Sequence, residues 1–200
     1  HQDEVRSLAW NPSGKLLASG GFGRVLVRET KHGKLIQKID DGLSGRITSL
    51  TFAGKNGEWL VVADGEPTVS GRLVIFNTKT WERAKTIRAH GDSIYGLTTS
   101  SDGKLVATAS ADKLAKLWKS GSWKSKGSLE GHTEYVMAAA FSPDGERIAT
   151  AGADASIKAW KVKTLKEFST FSGRQAKLPK TGLLWKMNPT KEKPDKDDDW

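Results

Sequence analysis

The sequence predicts an all-β protein built from four copies of one four-stranded antiparallel sheet, and three observations lead there. Residues 89–118 and 131–160 are the same segment written twice, in register at a period of 42: His90 falls on His132, Asp102-Gly103 on Asp144-Gly145, Thr108 on Thr150, Asp112 on Asp154 and Trp118 on Trp160. Within each unit the apolar residues form runs of about five, separated by turn signals, which is the pattern of short strands. No stretch sustains a 3.6-residue apolar period long enough for a helix. Repeats of this length are stacked supersecondary units whose surfaces become a core only when neighbours assemble.

The last unit shows the strands most plainly. Val136 to Phe141 is a first run, Ser142-Pro143-Asp144-Gly145 a tight turn and Arg147 to Ala151 a second run. Ala153-Asp154 turns the chain again, Ser156 to Trp160 is a third run, and Glu167 to Phe171 a fourth. Small residues at Ala107, Ala109, Ala149 and Ala151 let a neighbouring sheet approach closely. One such sheet cannot bury both of its faces, so the units pack face to face around an axis. The repeat also extends backwards. Val5, Trp10, Gly14 and Ser19 align with Val136, Phe141, Gly145 and Thr150, and Ile47, Phe52, Gly57 and Phe76 align with Val136, Phe141, Gly145 and Trp160. The second alignment needs five or six extra residues around Asp64–Gly71. Residues 1–172 thus form four units (about 1–40, 44–88, 89–130 and 131–171), and residues 173–200 read as a linker and disordered tail with an apolar Leu183-Leu184-Trp185 patch.

Composition narrows the function classes. No window approaches eighteen apolar residues, so no membrane-spanning helix is expected. Without cysteine there is neither a disulfide framework nor a thiolate site, which fits a reducing compartment such as the cytoplasm. The four histidines are dispersed, so neither a metal nor any other cofactor is expected. Gly20-Gly21-Phe22-Gly23 lacks the Lys-Ser/Thr and following helix of a phosphate loop. The formal charge of +9 is compatible with a polyanionic partner, but the basic residues are spread over every unit. The densest run, Lys113, Lys116, Lys119, Lys124 and Lys126, lacks the aromatic interleaving of a single-strand binder.

These residues together resemble the WD-repeat β-propeller family. Ala-His and Gly-His at 89–90 and 131–132 open the third and fourth units, Leu-Trp and Ala-Trp at 117–118 and 159–160 close their third strands, and Ser-Pro-Asp-Gly at 142–145 is similar to the family's turn. The resemblance covers roughly residues 1–171. It implies a propeller of four-stranded antiparallel blades and, in the last two, a buried hydrogen-bonded tetrad: His90, Thr108, Asp112 and Trp118, then His132, Thr150, Asp154 and Trp160. The chemistry is coherent on its own terms, because a buried indole N–H needs an acceptor, a hydroxyl both accepts and donates, and an imidazole continues the chain to a carboxylate. A hydrolase would use His, hydroxyl and Asp too, but it would not need them once per repeat with a Trp at fixed spacing. No catalytic residue is therefore expected.

The first two units depart from the pattern. Gly23 and Arg28 stand where Asp and Trp are expected in the first; Ser44, Val62 and Phe76 replace His, hydroxyl and Trp in the second. Neither builds the tetrad, so apolar packing is expected to hold them, as the less stable half. Trp10 and Phe52 are expected to fill the core. Trp81, Trp123 and Leu165 share the turn between third and fourth strands, as caps over the sheet edge or as an interaction stripe.

Four blades fall short of the seven usual in this family, and nothing in the layout supplies the strand-swapped clasp by which its rings commonly close. Three closures are open: excision from a longer propeller, two copies forming an eight-bladed ring as a homodimer, or self-closure at the lower limit of the range. Burial of both end faces favours the first two. The resemblance implies a non-catalytic scaffold for a protein or peptide partner, met on the face formed by turns between blades and between second and third strands. Arg6, Phe22, Arg46, Asp92, Tyr95, Glu134 and Tyr135 are the residues expected there, aromatic and Arg side chains being common affinity anchors. A basic adaptor for nucleic acid and the propeller segment of a larger enzyme or sensor are the alternatives.

Overall fold

The computed structural model describes His1 and residues 4–172; the linker, apolar patch and tail expected at 173–200 lie outside the described residues. Among the described residues sixteen strands form four separate antiparallel sheets, each a meander in sequence order. The first blade holds β1 (Ser7–Trp10), β2 (Leu16–Gly20), β3 (Val25–Glu29) and β4 (Leu35–Ile39); the second holds β5 (Ser49–Ala53), β6 (Trp59–Glu66), β7 (Ser70–Asn77) and β8 (Arg83–His90). The third holds β9 (Ile94–Thr99), β10 (Leu105–Ser110), β11 (Ala115–Lys119) and β12 (Ser125–Leu129), and the fourth β13 (Val136–Phe141), β14 (Arg147–Gly152), β15 (Ser156–Lys161) and β16 (Glu167–Ser172). Among the described residues no helix is long and apolar enough to cross a membrane.

The blades succeed one another through their inner strands, β1 against β5, β5 against β9 and β9 against β13. Polar side chains register these contacts: the Thr51 and Thr99 hydroxyls lie 2.8 Å apart, and Ser49 Oγ accepts the Leu97 N–H at 3.0 Å. Three apolar clusters fill the three junctions. In each, the two meeting faces differ. The third blade turns Leu97, Val106 and Trp118 towards the second, and offers the smaller Ala107, Ala109 and Ala115, with Leu117, to the fourth. Small residues on one face admit the bulkier side chains of the next.

The ring is open, so this is a partial propeller. The first blade exposes the kind of face that elsewhere packs on a preceding blade, with Leu8 opposite Ser19 and Trp10 opposite Leu17. The fourth blade exposes the complementary kind, Ala138, Ala149, Ala151, Ile157, Ala159 and Phe171. This corrects the expectation for Trp10. Phe52 is buried, whereas Trp10 is 59% exposed because it stands on the face that has no neighbour.

The extra residues of the second unit lengthen its central hairpin. Strands β6 and β7 stay paired out to Glu66 and Ser70, projecting past the shorter hairpins of the other blades. The Thr68 N–H at the tip donates to Asp92 at 2.7 Å, and Arg88 donates to the Val69 carbonyl at 3.0 Å. On the opposite face, Trp81, Trp123 and Leu165 each hold a left-handed backbone, with φ near 60°. Each covers the junction with the preceding blade, and Trp123 meets Trp59 edge-on at 6.0 Å.

Candidate functional site

Two hydrogen-bonded chains run through the third and fourth blades. The Trp118 indole N–H donates to the Thr108 hydroxyl at 3.2 Å; Thr108 Oγ1 lies 2.6 Å from His90 Nε2, and His90 Nδ1 lies 2.8 Å from Asp112. In the fourth blade Trp160, Thr150, His132 and Asp154 repeat the arrangement at 2.9, 2.8 and 2.9 Å. Each carboxylate also accepts backbone N–H groups, of Gly91 and Leu114 on Asp112, and of Thr133 and Ser156 on Asp154. The chain thereby ties the connector entering a blade to the turn between its second and third strands.

Charge in these chains follows from burial and bonding. Burial pushes His90 below its ordinary value, against the opposing pull of Asp112, so the ring is neutral at physiological pH. Neutral His90 then donates Nδ1–H to the carboxylate and accepts the Thr108 O–H at Nε2, giving every link one donor. Burial tends to raise Asp112, but the bond from His90 and the backbone N–H groups outweigh it and hold it below the carboxylate range. Asp154 is lowered further, its desolvation overcome by Ser156, His132 and backbone donors. The Thr108 and Thr150 hydroxyls have essentially no exposure, which leaves no path to a substrate.

The second blade carries a polar chain that the tetrad pattern does not reveal. The buried carboxylate of Asp64 accepts two bonds from Arg72, at 3.0 and 2.6 Å, and one from the Ser44 N–H at 2.8 Å. Arg72 also donates to Ser44 Oγ at 2.8 Å, and the bond to Asp64 raises its pKa. Ser44 stands where His90 stands one blade later, so the ion pair ties the entering connector to the second-third hairpin as the tetrads do. Strands β6 and β7 are deeply buried, as expected of a blade held mainly by apolar packing, and the ion pair adds a polar tie that the expectation did not include. The one sequence signal was the lengthened hairpin, which sets Asp64 opposite Arg72.

The turns above these chains form one face of the open ring. There Arg6, Phe22, Arg46 and Tyr95 surround a cavity of about 860 Å3, with Glu4, Glu66 and Pro67 on its wall. Backbone bonds fix the rim: Gly23 donates to the Gly45 carbonyl at 2.6 Å and Ile47 to the Gly21 carbonyl at 2.9 Å, setting Phe22 beside Arg46. Phe22 is 62% exposed, an unusual position for a phenyl ring. Arg6 pairs with Glu4 at 2.7 Å. Tyr135 extends the surface, its ring 6.3 Å from that of Tyr95. The other two expected residues are engaged elsewhere. Asp92 accepts the N–H groups of Thr68 and Ser93 and so anchors the long hairpin, while Glu134 lies 3.8 Å from Lys113.

The family model described as "WD domain, G-beta repeat" matches residues 1–26, 81–119 and 123–161. The chain belongs to the WD-repeat family. The second and third matches each run from the outermost strand of one blade to the third strand of the next, so the WD repeat is offset from the sheet by one strand. The unmatched stretch between residues 26 and 81 contains the first three strands of the blade in which Asp64 and Arg72 replace the tetrad.

Curated WD-repeat relatives are similar over little more than half of the chain. The p21-activated protein kinase-interacting protein 1-like of Danio rerio is 28% identical over 124 residues, 59% of this chain and 31% of that protein. The WD repeat-containing protein srw1 of Schizosaccharomyces pombe is 27% identical over 123 residues, 60% of this chain and 21% of that protein. U3 small nucleolar RNA-associated protein 12 of Saccharomyces cerevisiae is 33% identical over 116 residues, 58% of this chain and 12% of that protein. The matches thus span less than a third of each relative's length.

Proposed function

We propose that this WD-repeat chain is a non-catalytic scaffold that receives a protein or peptide partner in the groove between Arg6, Phe22, Arg46 and Tyr95. The gathering of those side chains from three blades around one cavity carries the reading. An exposed phenyl ring and a tyrosine beside two guanidinium groups supply the anchor chemistry that dominates protein recognition. The relative named as a kinase-interacting protein supports an interaction role. The His-Thr-Trp-Asp chains, and the Asp64–Arg72 pair, are structural: they hold the turns that present the groove.

We further propose that the open ring closes by pairing two copies. The first blade's free face is of the kind that packs on a preceding blade, and the fourth blade's free face is of the kind that receives one. Two equivalent head-to-tail contacts, related by a two-fold axis, would therefore bury both.

Panning a displayed random-peptide library on the immobilised protein, then titrating the enriched peptides by calorimetry, tests the groove. Enriched peptides should lose at least tenfold in affinity on Phe22→Ala and on Tyr95→Ala, with melting temperatures unchanged. Peptides that bind both variants as tightly as the parent protein would remove the groove from the account.

A further inference from the structure

The opposite face of the ring, formed by the turns between first and second and between third and fourth strands, has a different chemistry. Between the third and fourth blades these turns surround a cavity of about 1130 Å3. Lys104, Lys119, Lys126, Arg147, Lys161 and Lys163 line it, against the two carboxylates of Asp102 and Glu146. Lys104 pairs with Asp102 at 3.2 Å and Arg147 with Asp144 at 3.5 Å; among the described residues the other four lysines make no ion pair. The half-exposed ring of Phe168 stands among them, and Ser120 and Ser122 add hydroxyl groups.

The cavity is a product of the fold rather than of a basic stretch. In the linear run of lysines, Lys113 and Lys116 turn away, donating to the Thr133 and Ala89 carbonyls at 2.7 and 2.8 Å. Lys119 and Lys126 instead meet Arg147, Lys161 and Lys163 of the next blade. The repeat places Lys119 and Lys161 at one position of consecutive blades, where the first and second blades carry Glu29 and Asn77. Phe168 takes the place that Lys126 has one blade earlier, so an aromatic ring enters the cationic cluster at this junction alone.

We propose that this groove binds single-stranded nucleic acid, with phosphates against the free lysines and a base stacked on Phe168. A single strand carries a charge beside a flat face at every nucleotide, which matches cations grouped around an exposed ring. An acidic peptide would answer the charge, but only its occasional aromatic side chains could stack on Phe168, whereas a single strand sets a base beside every phosphate.

Fluorescence anisotropy with a fluorescein-labelled oligothymidylate of about twenty nucleotides, between about 50 and 200 mM salt, tests this. The logarithm of affinity should fall against the logarithm of salt with a slope of about 3, as four neutralised phosphates at ~0.7 each require. Lys119→Glu with Lys161→Glu should weaken binding tenfold or more, as should Lys126→Glu with Lys163→Glu. Phe168→Ala should cost about fivefold or more and leave the salt slope unchanged. Lys34→Glu with Lys85→Glu, the same change of charge placed on the first and second blades, should stay within twofold. Equal weakening by the Lys34/Lys85 variant would overturn the assignment, because net charge alone would then explain binding. So would displacement of the oligonucleotide by polyglutamate at equal charge, or no binding at the lowest salt.

Discussion

Arg72 forks onto the fully buried carboxylate of Asp64 at 2.6 Å, although the guanidinium itself stays partly open to solvent. The asymmetry decides what breaking the pair costs. Arg72→Met strands an ionised carboxylate in the interior and should destabilise the protein by ~3 kcal/mol, the range for an uncompensated buried charge. Asp64→Ala leaves an arginine that can turn to water and should cost less. The double change should cost less than the sum of the two, which urea unfolding of the four proteins will read out.

The tetrads depend on a hydroxyl at their centre. Thr108→Val keeps the shape but leaves the Trp118 N–H and His90 Nε2 without partners, so a loss of about 2 kcal/mol is expected, with a similar loss for Thr150→Val. Thr108→Ser keeps the oxygen and should cost under ~1 kcal/mol, mainly one methyl group. Denaturant midpoints distinguish the two: equal destabilisation by Val and Ser would mean that packing, not the hydrogen bond, governs the site.

Acid should weaken the fold in two stages. His90 has a folded pKa below its ordinary 6.5, so the unfolded chain binds protons first; the contribution is complete above that pH and declines as pH falls below it. Asp112 and Asp154 are also lowered, so their contribution is complete above the ordinary 3.8 and is lost as pH falls further. Melting temperature against pH should therefore be flat above about 7, slope gently below 6.5 and drop steeply below 4. His90→Gln should remove most of the gentle slope.

Two equivalent glycines should respond unequally. Gly103 and Gly145 share a left-handed backbone, φ 73° and 71°. A Cβ on Gly103 would lie 2.4 Å from the Gly54 backbone, where Gly54 donates to the Gly103 carbonyl across the blades; one on Gly145 would meet nothing within 4 Å. Gly145→Ala should cost only the conformational penalty of ~1–2 kcal/mol. Gly103→Ala should cost clearly more, as thermal unfolding of the two variants will show.

Much of the architecture was legible because the period of 42, with a turn signal after each apolar run, states how many strands form and in what order. Less legible was anything set by a neighbour. Trp10 carries the pattern of a core residue, and its exposure follows from the blade that is missing beside it. Asp64 and Arg72 lie eight residues apart and become partners only when the long hairpin sets them opposite. The lysine run misleads for the same reason: the turns send its members to opposite faces and recruit others from forty residues away. Arg6, Phe22, Arg46 and Tyr95, by contrast, could be picked out from their turns, because each repeat fixes which turns share a face.

The open ring and its two complementary end faces carry the proposed closure by a second copy, and solution mass tests it most directly. Multi-angle light scattering across a wide range of protein concentration should find a species of twice 21.8 kDa that persists on dilution, and Trp10→Glu or Ile157→Lys should dissociate it. A 21.8 kDa monomer at every concentration, with neither substitution altering its mass or stability, would contradict closure by a second copy.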